Sequence, residues 1–137
     1  LAEVLKEITK LSQKHNLRVA NCFHAGDGNL HPLIMFDSNN KSEFKRAEKF
    51  GTDILKYCVK VGGVLTGEHG VGIEKRDLMC EMFNDEDIQQ QLNIKKAFDE
   101  KSLLNPGKVY PILHRCAEGG KMHIHKGETK FKDIPRF

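Results

Sequence analysis

Two strand-like runs, residues 18–24 (RVANCFH) and 30–36 (LHPLIMF), stand either side of a short Gly/Asp/Asn cluster. Asp27-Gly28 is among the stronger two-residue hairpin signals, because both residues accept the backbone that such a turn requires. Pairing about that turn sets His24 opposite His31, Cys22 opposite Leu33 and Ala20 opposite Met35. A longer loop over 26–29 is expected to keep the same pairing. Directly opposed residues hold their Cβ atoms about 4.5–5.5 Å apart, so two imidazoles placed there can share one metal ion. The other face carries Val19, Phe23, Ile34 and Phe36. With both faces largely apolar, the hairpin is expected to be buried, and buried histidines need partners. Two core histidines bonded to backbone would satisfy that need equally well. A further ligand is what separates the two cases.

The segment from Gly62 to Gly72 (GGVLTGEHGVG) offers one. Its five glycines in eleven residues exclude ordinary helix, where each costs about 1 kcal/mol relative to Ala. They also allow backbone to approach another group closely. Within the segment, Glu68 and His69 are adjacent. Two histidines and a carboxylate form a common set for a divalent ion with open positions, suited to Zn, Fe(II) or Mn. His69 is then free to act as a base near neutral pH. Adjacent residues of an extended segment point opposite ways, so both serve one site only if the loop bends sharply. Otherwise the segment is a helix-entry turn with Glu68 as a solvated cap. A phosphate loop is excluded by the missing Lys-Ser/Thr ending, and a dinucleotide turn by the glycine order. A zinc peptidase would show H-E-x-x-H on a helix, which is absent.

Around these motifs the chain reads as helices. Leu1, Val4, Leu5, Ile8 and Leu11 recur at helical spacing over 1–15, with Asn16 as the stop. A second helix is capped by Ser38 or Asn39, has Glu43 in its first turn, and runs to about Val61. A third resumes over 73–82, presenting Lys75 and Arg76 on a solvated face. Asn84 caps a fourth, with acidic residues in its first turn and lysines in its last. Asn105-Pro106-Gly107 is a turn, and KVYPIL an extended segment. Residues 114–137 are a polar tail. In it, His123 and His125 alternate with Met122 and Ile124, and read as solvated rather than metal-binding.

The 137 residues suffice for one domain with a modest core. A net charge of only +3, with Lys and Arg scattered among Asp and Glu, gives nucleic-acid binding no support. No apolar stretch approaches the roughly 20 residues of a membrane helix. Four dispersed cysteines, Cys22, Cys58, Cys80 and Cys116, form no C-x-x-C pair. They suggest reduced thiols and a cytoplasmic protein, with Cys22 and Cys58 packed as small apolar residues. The start without Met, inside an amphipathic pattern, suggests a part of something longer.

Taken together, His24-Ala25-Gly26-Asp27-Gly28-Asn29-Leu30-His31-Pro32, Gly67-Glu68-His69-Gly70-Val71-Gly72, and Phe98-Asp99 through Leu104-Asn105-Pro106-Gly107-Lys108 resemble the carboxyl-terminal domain of FAD-linked oxidases. This family has vanillyl-alcohol oxidase architecture and includes dehydrogenases of D-lactate, D-2-hydroxyglutarate and glycolate. The stretch from Tyr110 to Glu118 looks most like the glycolate-oxidising members. The resemblance implies an α+β fold over residues 1–113: a truncated ferredoxin-like domain with a central antiparallel hairpin and packed helices. It implies a metal, normally zinc-like, on His24, His31 and Glu68, and a proton-accepting role for His69. It places Asn29 near flavin and substrate, and Asn105 and Lys108 in a segment that closes against an FAD domain. It further implies FAD held mainly by that preceding domain, a small 2-hydroxy acid as substrate, and association with other oxidase subunits, some at the inner membrane. The upstream groups that would grip the substrate carboxylate are missing, and no substitute is evident. Two other roles remain open: a docking domain whose metal site has decayed, and a metal-dependent hydrolase.

Overall fold

In the computed structural model, which describes residues 1–111, the amphipathic opening forms α1 (Ala2–His15). Its apolar stripe buries Val4, Ile8 and Leu11. Asn16 ends it in the left-handed region (φ 49°), and the Leu17 N–H returns to the Ser12 carbonyl. This closure satisfies a helix-end carbonyl and tucks Leu17 into the core. The chain then enters β1 (Arg18–His24) and β2 (Asn29–Met35), an antiparallel pair. A long helix, α2 (Lys41–Lys60), lies against α1 and the hairpin. Its cap is Asn40, one residue beyond the expected positions, whose side chain accepts from the N–H groups of Ser42 and Glu43. At the far end Gly62 (φ 86°) donates to the Val59 carbonyl and Gly63 to that of Cys58. A side chain at Gly63 would meet the Cys58 carbonyl oxygen at 2.9 Å, so glycine is required for this close.

Two apolar clusters result, on different faces of α2. The first joins α1, α2 and one face of the hairpin, with Phe50 and Ile8 fully enclosed and Val19, Leu30 and Ile34 packed against them. The second lies beneath the glycine-rich segment, where Leu65, Leu78, Met79 and Ile88 are buried against Leu55 and Val59 of α2. A 3₁₀ turn (Arg76–Leu78), the short α3 (Met79–Met82) and α4 (Asp85–Phe98) complete the described architecture. Asn84 and Asp87 cap α4 reciprocally, as the acidic first turn indicated. The α+β class therefore holds, with a two-stranded hairpin and helices packed on one of its faces.

Several expectations are corrected. The hairpin loop spans residues 25–28, so His24 pairs with Asn29, and Cys22 with His31. The slip is two residues, and each side chain keeps its face because strand side chains alternate with period two. The hairpin is not buried on both sides: helices cover one face, leaving Cys22, Leu33 and Met35 exposed on the other. The helix expected over 73–82 is regular only from Met79, because turns driven by the glycines occupy its start. Residues 108–111 form no strand, and Val109 has φ 68°. Cys58 packs at the core edge as expected, but Cys80 is disulfide-bonded, so the thiols are not all reduced. The tail histidines lie outside the described residues.

The α1–α2 contact also holds an ion-pair cluster. His15, buried and stacked on Phe50, meets Asp53 through Nε2 at 2.9 Å, and Lys14 Nζ reaches the same oxygen at 3.0 Å. Burial alone would raise the Asp53 pKa, but hydrogen bonds from His15 and Lys14 outweigh it and hold the carboxyl below its ordinary value. A carboxylate lowered in the fold stabilises above its unfolded pKa, and that stability is lost as pH falls through the folded value. The protein should therefore lose stability below about pH 4, and Asp53→Asn should flatten that acid limb in urea unfolding. Equal acid slopes would show that the cluster contributes nothing.

Candidate functional site

The strand register puts His24 directly across from Asn29 and diagonal to His31 on the hairpin face turned away from Val19 and Ile34. Diagonal neighbours remain within reach of long or aromatic side chains. The two imidazoles meet edge to face, with ring centroids 5.4 Å apart. The glycine-rich segment supplies the third group. Leu65 is fully buried and its N–H donates to Met82 Sδ, which anchors the segment on one side. On the other, the Val109 N–H donates to the Gly72 carbonyl at 2.8 Å. Between these anchors Gly70 (φ 77°) and Gly72 (φ 56°) take left-handed conformations, supplying the bend that the Glu68–His69 pair requires.

The outcome is a cluster centred on one carboxylate oxygen. Glu68 Oε1 lies 3.2 Å from His24 Nε2, 3.6 Å from His31 Nε2, and accepts from Asn29 Nδ2 at 2.5 Å. His69 Nε2 stands 3.8 Å from the other oxygen, and its ring lies 5.3 Å from that of His31. Glu68 and His69 thus do converge on one place. Ligand atoms bound to a tetrahedral ion at about 2.0–2.2 Å stand roughly 3.3–3.6 Å from one another. The Glu68–His31 separation falls at that spacing and the Glu68–His24 separation just below it, and the three ligand atoms all lie within 4.8 Å of each other. The donor set therefore fits a divalent cation.

An open groove of about 890 Å³ adjoins the cluster, lined in part by Asn29, His31, Thr66, Gly67 and His69. His69 is mostly exposed (74%) and His31 mostly covered (23%). An exposed imidazole beside such a groove can exchange protons with a ligand and with solvent. Asn105 and Lys108 are placed differently. They hydrogen-bond each other, Nζ to Oδ1 at 3.0 Å, and neither lines the groove. Their turn is nonetheless tied to the glycine segment through Val109 and through Arg76, whose Nη1 donates to the Gly107 carbonyl at 2.8 Å.

The structure adds residues that sequence patterning missed. Arg76 is not on a solvated face: it is buried, and its Nε also donates to Asp77. Lys75 is half-buried and lines the groove. Gly67 passes so close to Asn29 that a Cβ there would overlap the Asn29 amide oxygen and move it aside. No signal in a single sequence marks such a contact between segments about 40 residues apart.

Comparison with known proteins identifies the family. Residues 1–109 match the family described as FAD linked oxidases, C-terminal domain. The chain belongs to that family. It is 56% identical over all 137 residues to a glycolate oxidase subunit, GlcD, of Escherichia coli K12, and this alignment covers 28% of that protein. It is 37% identical over 110 residues to the subunit of the same name from Bacillus subtilis, covering 80% of the chain and 23% of the relative. A mitochondrial D-lactate dehydrogenase [cytochrome] of Arabidopsis thaliana is 34% identical over 116 residues, 85% of the chain and 20% of the relative. The chain thus corresponds to under a third of these relatives' length.

The Gly67–Asn29 contact yields a test. Gly67→Ala should displace the Asn29 side chain from Glu68 with little loss of stability, because a flexible amide can move and the Gly67 backbone is not left-handed. Its effect on metal affinity should vanish in an Asn29→Ala background, a non-additivity read from the double-mutant cycle. Additive effects would mean that Gly67 acts by another route.

Proposed function

We propose that this chain forms the metal- and substrate-binding part of an FAD-dependent 2-hydroxy-acid dehydrogenase that converts glycolate or D-lactate to the 2-oxo acid. The observation that carries this is the convergence of His24, His31 and Asn29 on a single oxygen of Glu68, with His69 beside it at a groove. Family membership and the names of the relatives support the reaction class. In this proposal residues 1–113 form the functional unit, 114–137 form a tail, and FAD is held mainly by another part of the same protein. Other oxidase subunits are its partners, and its place is the cytoplasm or the inner-membrane surface. Among the described residues, no helix is long and apolar enough to cross a membrane.

His24, His31 and Glu68 would hold a divalent ion, zinc by the donor set. When bound, the ion supplies Lewis acidity toward the substrate hydroxyl, and the flavin supplies the hydride acceptor. Asn29 orients the Glu68 carboxylate by donating to it. His69 takes the hydroxyl proton, and its exposure lets that proton pass on to water. The groove holds the small acid so that its hydroxyl end meets His69, which removes much of the entropic cost of alignment. Asn105 and Lys108 would face the flavin-bearing part from the turn that Arg76 ties down.

A docking-only role has one observation in its favour, the exposure of Ile94, Phe98, Leu103 and Leu104 at the end of α4 and after it. The full-length protein discriminates the two. It should contain about one divalent ion per chain by elemental analysis. Glu68→Ala should lose both the ion and turnover, while His69→Gln should keep the ion and lose about 10²–10⁴-fold in kcat. A metal-free protein, or Glu68→Ala with unchanged turnover, would leave docking as the function. Activity of the metal-loaded 1–137 chain on ester or amide bonds without flavin would instead establish a hydrolase.

A further inference from the structure

Residues 64–70 carry Glu68 and His69, yet their backbone makes a single hydrogen bond among the described residues: the Leu65 N–H donates to Met82 Sδ at 3.2 Å. The flanking residues are held by ordinary carbonyl bonds. Gly62 and Gly63 close onto α2, the Val71 carbonyl accepts from Lys75, and the Gly72 carbonyl accepts from Val109. No side chain fastens the segment between Leu65 and Glu68 either, since the Thr66 hydroxyl is buried with no partner among the described residues. The sulfur contact is therefore the last fixed point of the backbone before the carboxylate that meets His24 and His31.

Met82 ends α3 and reaches back 17 residues to make this contact. It packs, partly covered, against the cluster of Leu65, Leu78, Met79 and Ile88. Leu65 is 1% exposed, and a buried N–H left without an acceptor is costly. A thioether is a weak acceptor, but its flexible side chain follows the local shape, and here it satisfies that donor. We infer that Met82 is a positioning residue for the Glu68 cluster: its sulfur sets the Leu65 peptide, and through it the reach of Glu68 and His69 to the hairpin histidines. This rests on the metal-binding role proposed above. The glycine at 67 imposes no conformation of its own, so the Leu65 peptide decides where the segment starts and Asn29 decides where Glu68 ends.

The test compares the full-length protein with Met82→Leu and Met82→Gln. Leucine keeps nearly the same volume and offers no acceptor, whereas glutamine offers a carbonyl oxygen. Zinc affinity is read by competition with a chelator, and backbone amide exchange of residues 64–70 by mass spectrometry. Met82→Leu should weaken zinc binding by roughly tenfold, the lower end of what supporting contacts around a metal contribute. It should also speed exchange across 64–70 while leaving α1 unchanged. Met82→Gln should restore both. Unchanged zinc affinity or unchanged exchange in Met82→Leu would overturn the inference. Equal losses in the two variants would overturn it as well, because shape and not the acceptor would then be what matters. If the wild-type protein binds no zinc, the metal-binding role fails by itself. The exchange comparison then decides alone whether Met82 holds the segment.

Discussion

One oxygen of Glu68 organises the candidate site, and most of the nearby structure follows from bringing it to the hairpin. Three side chains from two strands meet it, yet Glu68 lies on a segment roughly 40 residues further along the chain. That segment must cross the hairpin closely and then turn sharply. The crossing is closest at Gly67, where a side chain would push the Asn29 amide aside. The turn uses the left-handed glycines 70 and 72. Neither would place a carboxylate reproducibly without anchors, because glycine backbone is conformationally free. Leu65, buried over α3 and α4, and the Val109–Gly72 hydrogen bond supply those anchors. The second apolar cluster is therefore part of the site's support.

The electrostatics of the site favour a cation. An acid sits among three imidazoles, with Glu68 Oε1 close to His24 and His31 and the other oxygen facing His69.

Much of this was legible in the sequence, and the misses have identifiable causes. Helices α1 and α2 were marked by apolar periodicity and α4 by its Asn84 cap and the charges at its two ends, all of which act locally, although the cap of α2 was read at Ser38 or Asn39 and is Asn40. The proximity of His24 and His31 was legible too. The Asp27-Gly28 turn led to a register two residues out, yet the conclusion survived, since a two-residue slip preserves faces and a one-residue slip would have separated the rings. What could not be read were contacts between distant segments: Gly67 against Asn29, Arg76 against Gly107, and Lys75 in the groove. Lys75 and Arg76 follow a loop in what looked like an exposed helix. Only the packing of Leu78 and Met79 beneath them turns that stretch inward.

The expectation of a hairpin buried on both faces failed for a related reason. Alternation tells which residues share a face, but not whether another element covers it. Val19, Leu30 and Ile34 find α1 and α2, whereas Leu33 and Met35 on the histidine face meet no helix of the described chain. The same openness is a condition of function in the proposed enzyme. A flavin held elsewhere in the protein must come within hydride-transfer distance of a substrate lying beside His69. Helices packed over the histidine face would close that approach. The uncovered apolar side chains around His24 and His31 are then the cost of an active site completed by two parts of one protein.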